Sequence, residues 1–272
     1  MSTQANGSNY KPRLAASFDN RVNYDDAYTV GRATKLVEAA GLKAGDSVLD
    51  LATGTGIVAV AAAQAVGARG RVVGVDISRG MLDQARTKIR AGELHTIDLI
   101  EADVEQIDFQ EESFDAILCS SAFMWLTDIS ATLRRCRGWL KRGGLLAFSC
   151  YSESSFMTPL LVKACASFGV SLPNCNEPLG TKERCRALVL KAGFNQIEIR
   201  TEEFGSYVPR NDRWWQWTGD PNWIAPGGNP FAELSAEQLS EIRAAYESEV
   251  DARATPQGFW HEITMFVVTA RK

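Results

Sequence analysis

Histidine is nearly absent from this chain: of 272 residues, only His95 and His261 carry an imidazole. The commonest general base therefore has two candidate positions. Six cysteines (Cys119, Cys136, Cys150, Cys165, Cys175 and Cys185) include no C-x-x-C pair, so no metal-ligand spacing is recognisable. The N-terminus, MSTQANGSNYKPR, is polar and lacks the apolar core of a secretory signal. The expectation is a cytoplasmic protein with reduced thiols. No apolar run approaches the roughly 20 residues of a spanning helix. Lysines and arginines are dispersed within a net charge of -4, which argues against a nucleic-acid surface. Asp25 and Asp26 are the one pair of acids resembling part of a metal cluster, and no metal is expected. What is present is enough chain for one large α/β domain.

The informative stretch runs from Ser47 to Ser78. Val48–Leu51 is a short apolar run suited to a buried parallel strand, and Gly54 and Gly56 follow as a tight turn. Residues 57–66, rich in alanine and valine, read as a crossover helix, and Val72–Val75 as the next strand with Asp76 at its end. The acid after the second strand stands where a nucleoside ribose is held by its hydroxyls. Asp50, four residues before Gly54, discriminates among nucleotides. A pyrophosphate needs positive potential at the helix N-terminus, and a carboxylate there repels it. The ammonium and sulfonium of S-adenosylmethionine are attracted by it. The D-x-x-x-G-x-G spacing points to that cofactor rather than to NAD.

In these residues, VLDLATGTG, the chain resembles the class I S-adenosylmethionine-dependent methyltransferases, in particular the small-molecule branch that includes ubiquinone and menaquinone methyltransferases. Further matches are the strand Phe114–Cys119 and the L-K-x-G-G turn ending at Gly144. The resemblance implies cofactor contacts from Ala52 and Thr53 and, at the methionine and ribose end, from Asp50, Gly54 and Gly56. Asp76 follows at the ribose, with Asp103 at the adenine amine and Ile77 as a further cofactor contact. Met81 and Val104 would wall the adenine, and Ser120 would line the reacting end. Asp103 reads equally as a turn cap, and Met81 as plain core. Where the family often carries a histidine pair, Phe123, Met124 and Trp125 form an apolar wall instead.

Residues 1–28 form an N-terminal arm whose Phe18, Tyr24 and Tyr28 either fold over the cofactor, as the resemblance implies, or pack on the sheet. Residues 29–272 form the methyltransferase domain. Within it, about 209–258 is an insertion where a hairpin needs only a short turn. Trp214, Trp215, Trp217 and Trp223 crowd its start. With Trp125 they read as a lid over an apolar or planar substrate; a satellite core or a homodimer contact is the alternative. His261, after Phe259-Trp260, is the better placed histidine for a base, with a structural role as its alternative. His95 reads as a surface residue.

The expected fold is α/β, a doubly wound, mostly parallel seven-stranded sheet with an aromatic lid insertion before the last strand. The expected reaction is in-line methyl transfer to an O, N or C atom of a small apolar or aromatic metabolite, releasing S-adenosylhomocysteine. Two other readings are a nicotinamide oxidoreductase on a similar fold and a protein that binds S-adenosylmethionine without catalysis.

Overall fold

The computed structural model describes residues 10–22, 24–156, 158–208 and 229–272. Nine strands occur among these residues in chain order: β1 (Ser47–Leu51), β2 (Arg71–Asp76), β3 (Ile97–Glu101), β4 (Phe114–Ser120), β5 (Leu140–Tyr151), β6 (Asn195–Glu203), β7 (Ser206–Val208), β8 (Phe259–His261) and β9 (Thr264–Arg271). Eight helices accompany them: α1 (Tyr10–Asp19), α2 (Ala27–Ala40), α3 (Ile57–Val66), α4 (Arg79–Ala91), α5 (Ile129–Trp139), α6 (Thr158–Ala166), α7 (Lys182–Lys191) and α8 (Ala236–Asp251). The main sheet has seven strands in the order β3-β2-β1-β4-β5-β9-β6. Strands β3, β2, β1, β4 and β5 pair in parallel. Their inward runs are apolar on both faces: Val48, Leu49, Ile117, Leu118, Leu146 and Phe148 are fully buried, as a covered parallel sheet demands.

Local chemistry sets the element ends. Gly56, in a left-handed conformation, opens α3. Ser78 caps α4 by accepting from the Met81 amide, and Ser235 with Gln238 forms a complete capping box on α8. Gly41, also left-handed, closes α2.

Three details differ from what the local sequence leads one to expect, namely a strand from Gln196 running on to Tyr207, one closing strand His261–Ala270 and a plain turn at Lys141–Gly144 before the fifth strand. The apolar alternation after Gln196 does not continue as one strand: it breaks at Phe204-Gly205, and β7 pairs instead with β8 in a separate two-stranded ribbon. The closing strand is likewise split, into β8 and β9. The Lys141–Gly144 turn lies inside β5: Phe114 pairs with Leu140 and Ala116 with Leu145, so the intervening residues bulge from the ladder, with left-handed Gly143 among them.

The chain divides into two compact units. One comprises Ala15–Cys150, Lys182–Arg200 and Phe266–Lys272; it holds strands β1 to β4 and the glycine turn. The other comprises Met1–Leu14, Tyr151–Thr181 and Thr201–Met265. Its core joins Leu161 and Cys165 of α6 to Ile242, Tyr246 and Val250 of α8, with Phe231 and Phe259. Among the described residues, no helix is long and apolar enough to cross a membrane. Trp214, Trp215, Trp217 and Trp223 lie outside the described residues.

Candidate functional site

Parallel strands order the candidate residues by construction. Asp50, Asp76, Asp103 and Ser120 stand at or just past the carboxyl ends of β1, β2, β3 and β4, neighbours in the sheet. Such an edge is where open α/β sheets bind ligands.

Asp50 is 1% exposed. Its Oδ2 accepts a hydrogen bond from Thr53 Oγ1 at 2.6 Å, while Oδ1 is buried with no hydrogen-bond partner. Burial pushes its pKa up to about 7, and the neighbouring Asp76 charge adds to the rise; Thr53 and the Ala59 amide in the first turn of α3 oppose it. A buried acid with an orphaned oxygen suits a cationic donor and repels phosphate, which is the fit that S-adenosylmethionine requires.

Asp76 closes the turn from the other side. Its Oδ2 accepts from the Gly54 amide and its Oδ1 from the Ser78 amide, both at 2.8 Å. Burial raises its pKa, those amides counter the rise, and Asp19 raises it further. Gly54 and Gly56 both have positive φ, 56° and 79°, so the turn uses the conformation that favours glycine. Ala52 takes a left-handed conformation too, at φ 52°, without being a glycine.

Asp103 Oδ1 accepts from the Glu105 amide at 2.9 Å, so it does cap its own turn. Val104 is buried, and its carbonyl accepts from Arg135. Glu105 binds both amides of Thr127 and Asp128, fixing this loop to the segment that follows Trp125. Met81 is 2% exposed, so its side chain is core-like in this state. Ile77 is half-buried beside Asp76.

Several contacts at this edge are not legible in the sequence. Asp19, at the end of α1, accepts from Ser78 Oγ at 2.7 Å and from the Gly80 amide at 3.0 Å. A Cβ on Gly80 would lie 2.2 Å from the Asp19 carbonyl oxygen, so a glycine in the first turn of α4 was the available signal of close backbone approach. Asp25 bonds Thr55 Oγ1 in the glycine turn and Lys88 Nζ on α4. Phe18 meets Trp125 edge-on, ring centroids 6.3 Å apart. The arm is thus tied to the glycine turn, to α4 and to the residue after β4. Ser121, left-handed at φ 53°, donates its amide to Ser149 Oγ at 3.0 Å, and the two hydroxyls are 3.2 Å apart.

His261 lies in β8, in the other unit, with its ring 5.9 Å from that of Phe156; burial lowers its pKa. His95 is exposed. Among the described residues, no group of three or more histidine, cysteine or acidic side chains could hold a metal ion.

Sheet order and acid-flanked glycine turn are those of a class I, Rossmann-like methyltransferase domain. Comparison with known proteins agrees. A methyltransferase-domain family matches residues 48–144. The aklanonic acid methyltransferase DauC of Streptomyces sp. (strain C5) is 32% identical over 148 residues, which is 52% of this chain and 66% of that protein. The ubiquinone/menaquinone biosynthesis C-methyltransferase UbiE of Shewanella frigidimarina is 38% identical over 180 residues, 60% of this chain and 71% of that one. The solved structure of a SAM-dependent methyltransferase from Aquifex aeolicus superposes with a TM-score of 0.54 at 19% identity, covering 69% of this chain and 90% of that one. The chain belongs to the S-adenosylmethionine-dependent methyltransferase family.

Proposed function

We propose that the chain moves a methyl group from S-adenosylmethionine to an O, N or C atom of a small, apolar or aromatic acceptor, a quinone or a specialised natural product. The observation that carries the cofactor half of this reading is Asp50: a buried carboxylate with one orphaned oxygen, beside the glycine turn and next to Asp76. Bound there, S-adenosylmethionine supplies an electrophilic methyl group on a sulfonium. Asp50 offers its acid to the cationic end. Asp76 has lone pairs left after its two amide bonds and holds the ribose hydroxyls. Asp103 and Val104 hold the adenine, with Ile77 at its edge, while Ser120 faces the reacting end. Trp125 supplies apolar wall and excludes water, which favours transfer between well-placed groups.

The acceptor class rests on the named relatives, one acting on aklanonic acid and one in quinone biosynthesis, and on an apolar Phe123-Met124-Trp125 wall after β4. We assign no residue as a general base; His261 stays a candidate for that role.

Calorimetric titration with S-adenosylmethionine and S-adenosylhomocysteine, with NADH as control, tests the cofactor half. Micromolar binding of both sulfur ligands and none of NADH is expected; the reverse pattern rejects it. Transfer of labelled methyl to demethylmenaquinol and to aklanonic acid tests the acceptor class. Binding without transfer to either would leave a cofactor-binding protein whose acceptor class has been misjudged.

A further inference from the structure

Cys150 and Cys185 are 35 positions apart in sequence, yet their sulfurs lie 3.5 Å from one another. Cys150 is the penultimate residue of β5, and Cys185 sits in the first turns of α7. They are 1% and 0% exposed, and neither sits in a disulfide. Their separation is a thiol–thiol hydrogen bond, roughly 1.5 Å longer than a disulfide of about 2.05 Å.

Their place in the chain is informative. The sheet-bearing unit is left immediately after Cys150 and re-entered at Lys182, three residues before Cys185; the excursion between, Tyr151–Thr181, belongs to the other unit. The two thiols bracket that excursion.

We propose that Cys150 and Cys185 form a dithiol modification site that closes to an intramolecular disulfide in the presence of a small, uncharged hydroperoxide. One sulfur attacks the peroxide oxygen: an S–O bond forms, the O–O bond breaks, and the thiol proton leaves with the expelled oxygen as water. The second sulfur then attacks the sulfenic sulfur, forming S–S as the S–O bond breaks and a second water departs. Two thiols lose two electrons, and one hydrogen peroxide becomes two waters. The hydrogen bond to Cys185, and then burial, hold the Cys150 thiol well above its ordinary pKa. Reaction therefore waits on local opening and is slow, unlike that of an exposed peroxidatic cysteine. The product ties β5 to α7 and turns the excursion into a covalent ring.

Incubation of the native chain with hydrogen peroxide, followed by acid quench, alkylation in denaturant and peptide mapping, tests this. The expected result is loss of two of the six thiols, a cross-linked peptide joining Cys150 to Cys185, and a rise in Tm of roughly 5–15 °C that dithiothreitol reverses. Cys150→Ser and Cys185→Ala should each abolish the cross-link and the rise. Recovery of both residues as alkylated thiols after oxidation, or cross-links from either to another cysteine, would overturn the proposal. The mapping uses unmutated protein, so its outcome is decisive even where a variant folds poorly.

Discussion

The Asp76 carboxylate accepts the Gly54 amide at 2.8 Å, joining the end of β2 to the turn that follows β1. One side chain therefore shapes the glycine turn and, in the function we propose, receives the ribose. Its loss should act on both. Asp76→Ala leaves the Gly54 and Ser78 amides without an acceptor, at about 1–3 kcal/mol of stability, and should weaken S-adenosylmethionine at least about tenfold by the hydrogen bonds removed. Calorimetry and thermal unfolding of the same preparation measure the two effects. Unchanged affinity in a folded variant rejects the ribose role.

Asp50 makes stability depend on pH. Its folded pKa of about 7 lies above the ordinary value of 3.8. Its contribution is thus fully present below about pH 4 and lost as pH rises through about 7, at most on the order of 4 kcal/mol. Urea unfolding of wild type and Asp50→Asn between pH 4 and 8 should show stability falling with pH more steeply in the wild type. Parallel curves would mean that Asp50 ionises without penalty. Saturating S-adenosylmethionine should flatten the wild-type curve, because its positive charges compensate the buried carboxylate.

Ala52 holds a left-handed backbone at φ 52°, a conformation that costs an L-residue about 1–2 kcal/mol. Glycine has no such strain but loses about 0.5–1 kcal/mol to its freer unfolded chain. Ala52→Gly should therefore raise stability by up to about 1 kcal/mol in denaturant titrations, and Ala52→Val should lower it. A destabilised glycine variant would show that the methyl group packs well enough to outweigh the strain.

Asp25 ties the arm to Thr55 and Lys88, with its side chain and that of Lys88 each about one-third exposed. Solvent weakens such a pair to at most about 1 kcal/mol. Asp25→Asn should lower S-adenosylmethionine affinity by roughly two- to fivefold at low ionic strength, with the difference shrinking at 0.5 M salt (about 4 Å screening). Equal affinities at low salt would detach the arm from cofactor binding.

Much of this architecture is written locally. Strands β1, β2 and β4 are largely apolar stretches that end at polar turns, and α3, α4 and α8 begin at Gly56, Ser78 and Ser235, each readable from a few neighbouring residues. The Asp50–Gly54–Gly56–Asp76 frame was readable for the same reason. What escaped depends on distant partners. Asp19 meets residues 59 and 61 positions away, and Asp25 meets residues 30 and 63 away. Nothing near either aspartate signals these contacts. The β6/β7 break is likewise decided by pairing: the Ile197–Ile199 alternation gives no end point of its own, and the strands that receive β6 and β7 are β9 and β8.

The sheet order carries a consequence for synthesis. Strand β6 has a single neighbour in the main sheet, β9, and β9 also supplies the far side of β5. On the ribosome, β6 ends at Glu203 and β9 at Arg271, so at about 5–20 residues per second roughly 3–14 seconds separate them. Throughout that interval β5 presents an open edge and β6 has no place in the sheet. The vulnerable interval for this protein thus lies between the synthesis of β6 and that of β9, and substitutions within Thr264–Arg271 should reduce its yield in cells more than equally buried substitutions in β2.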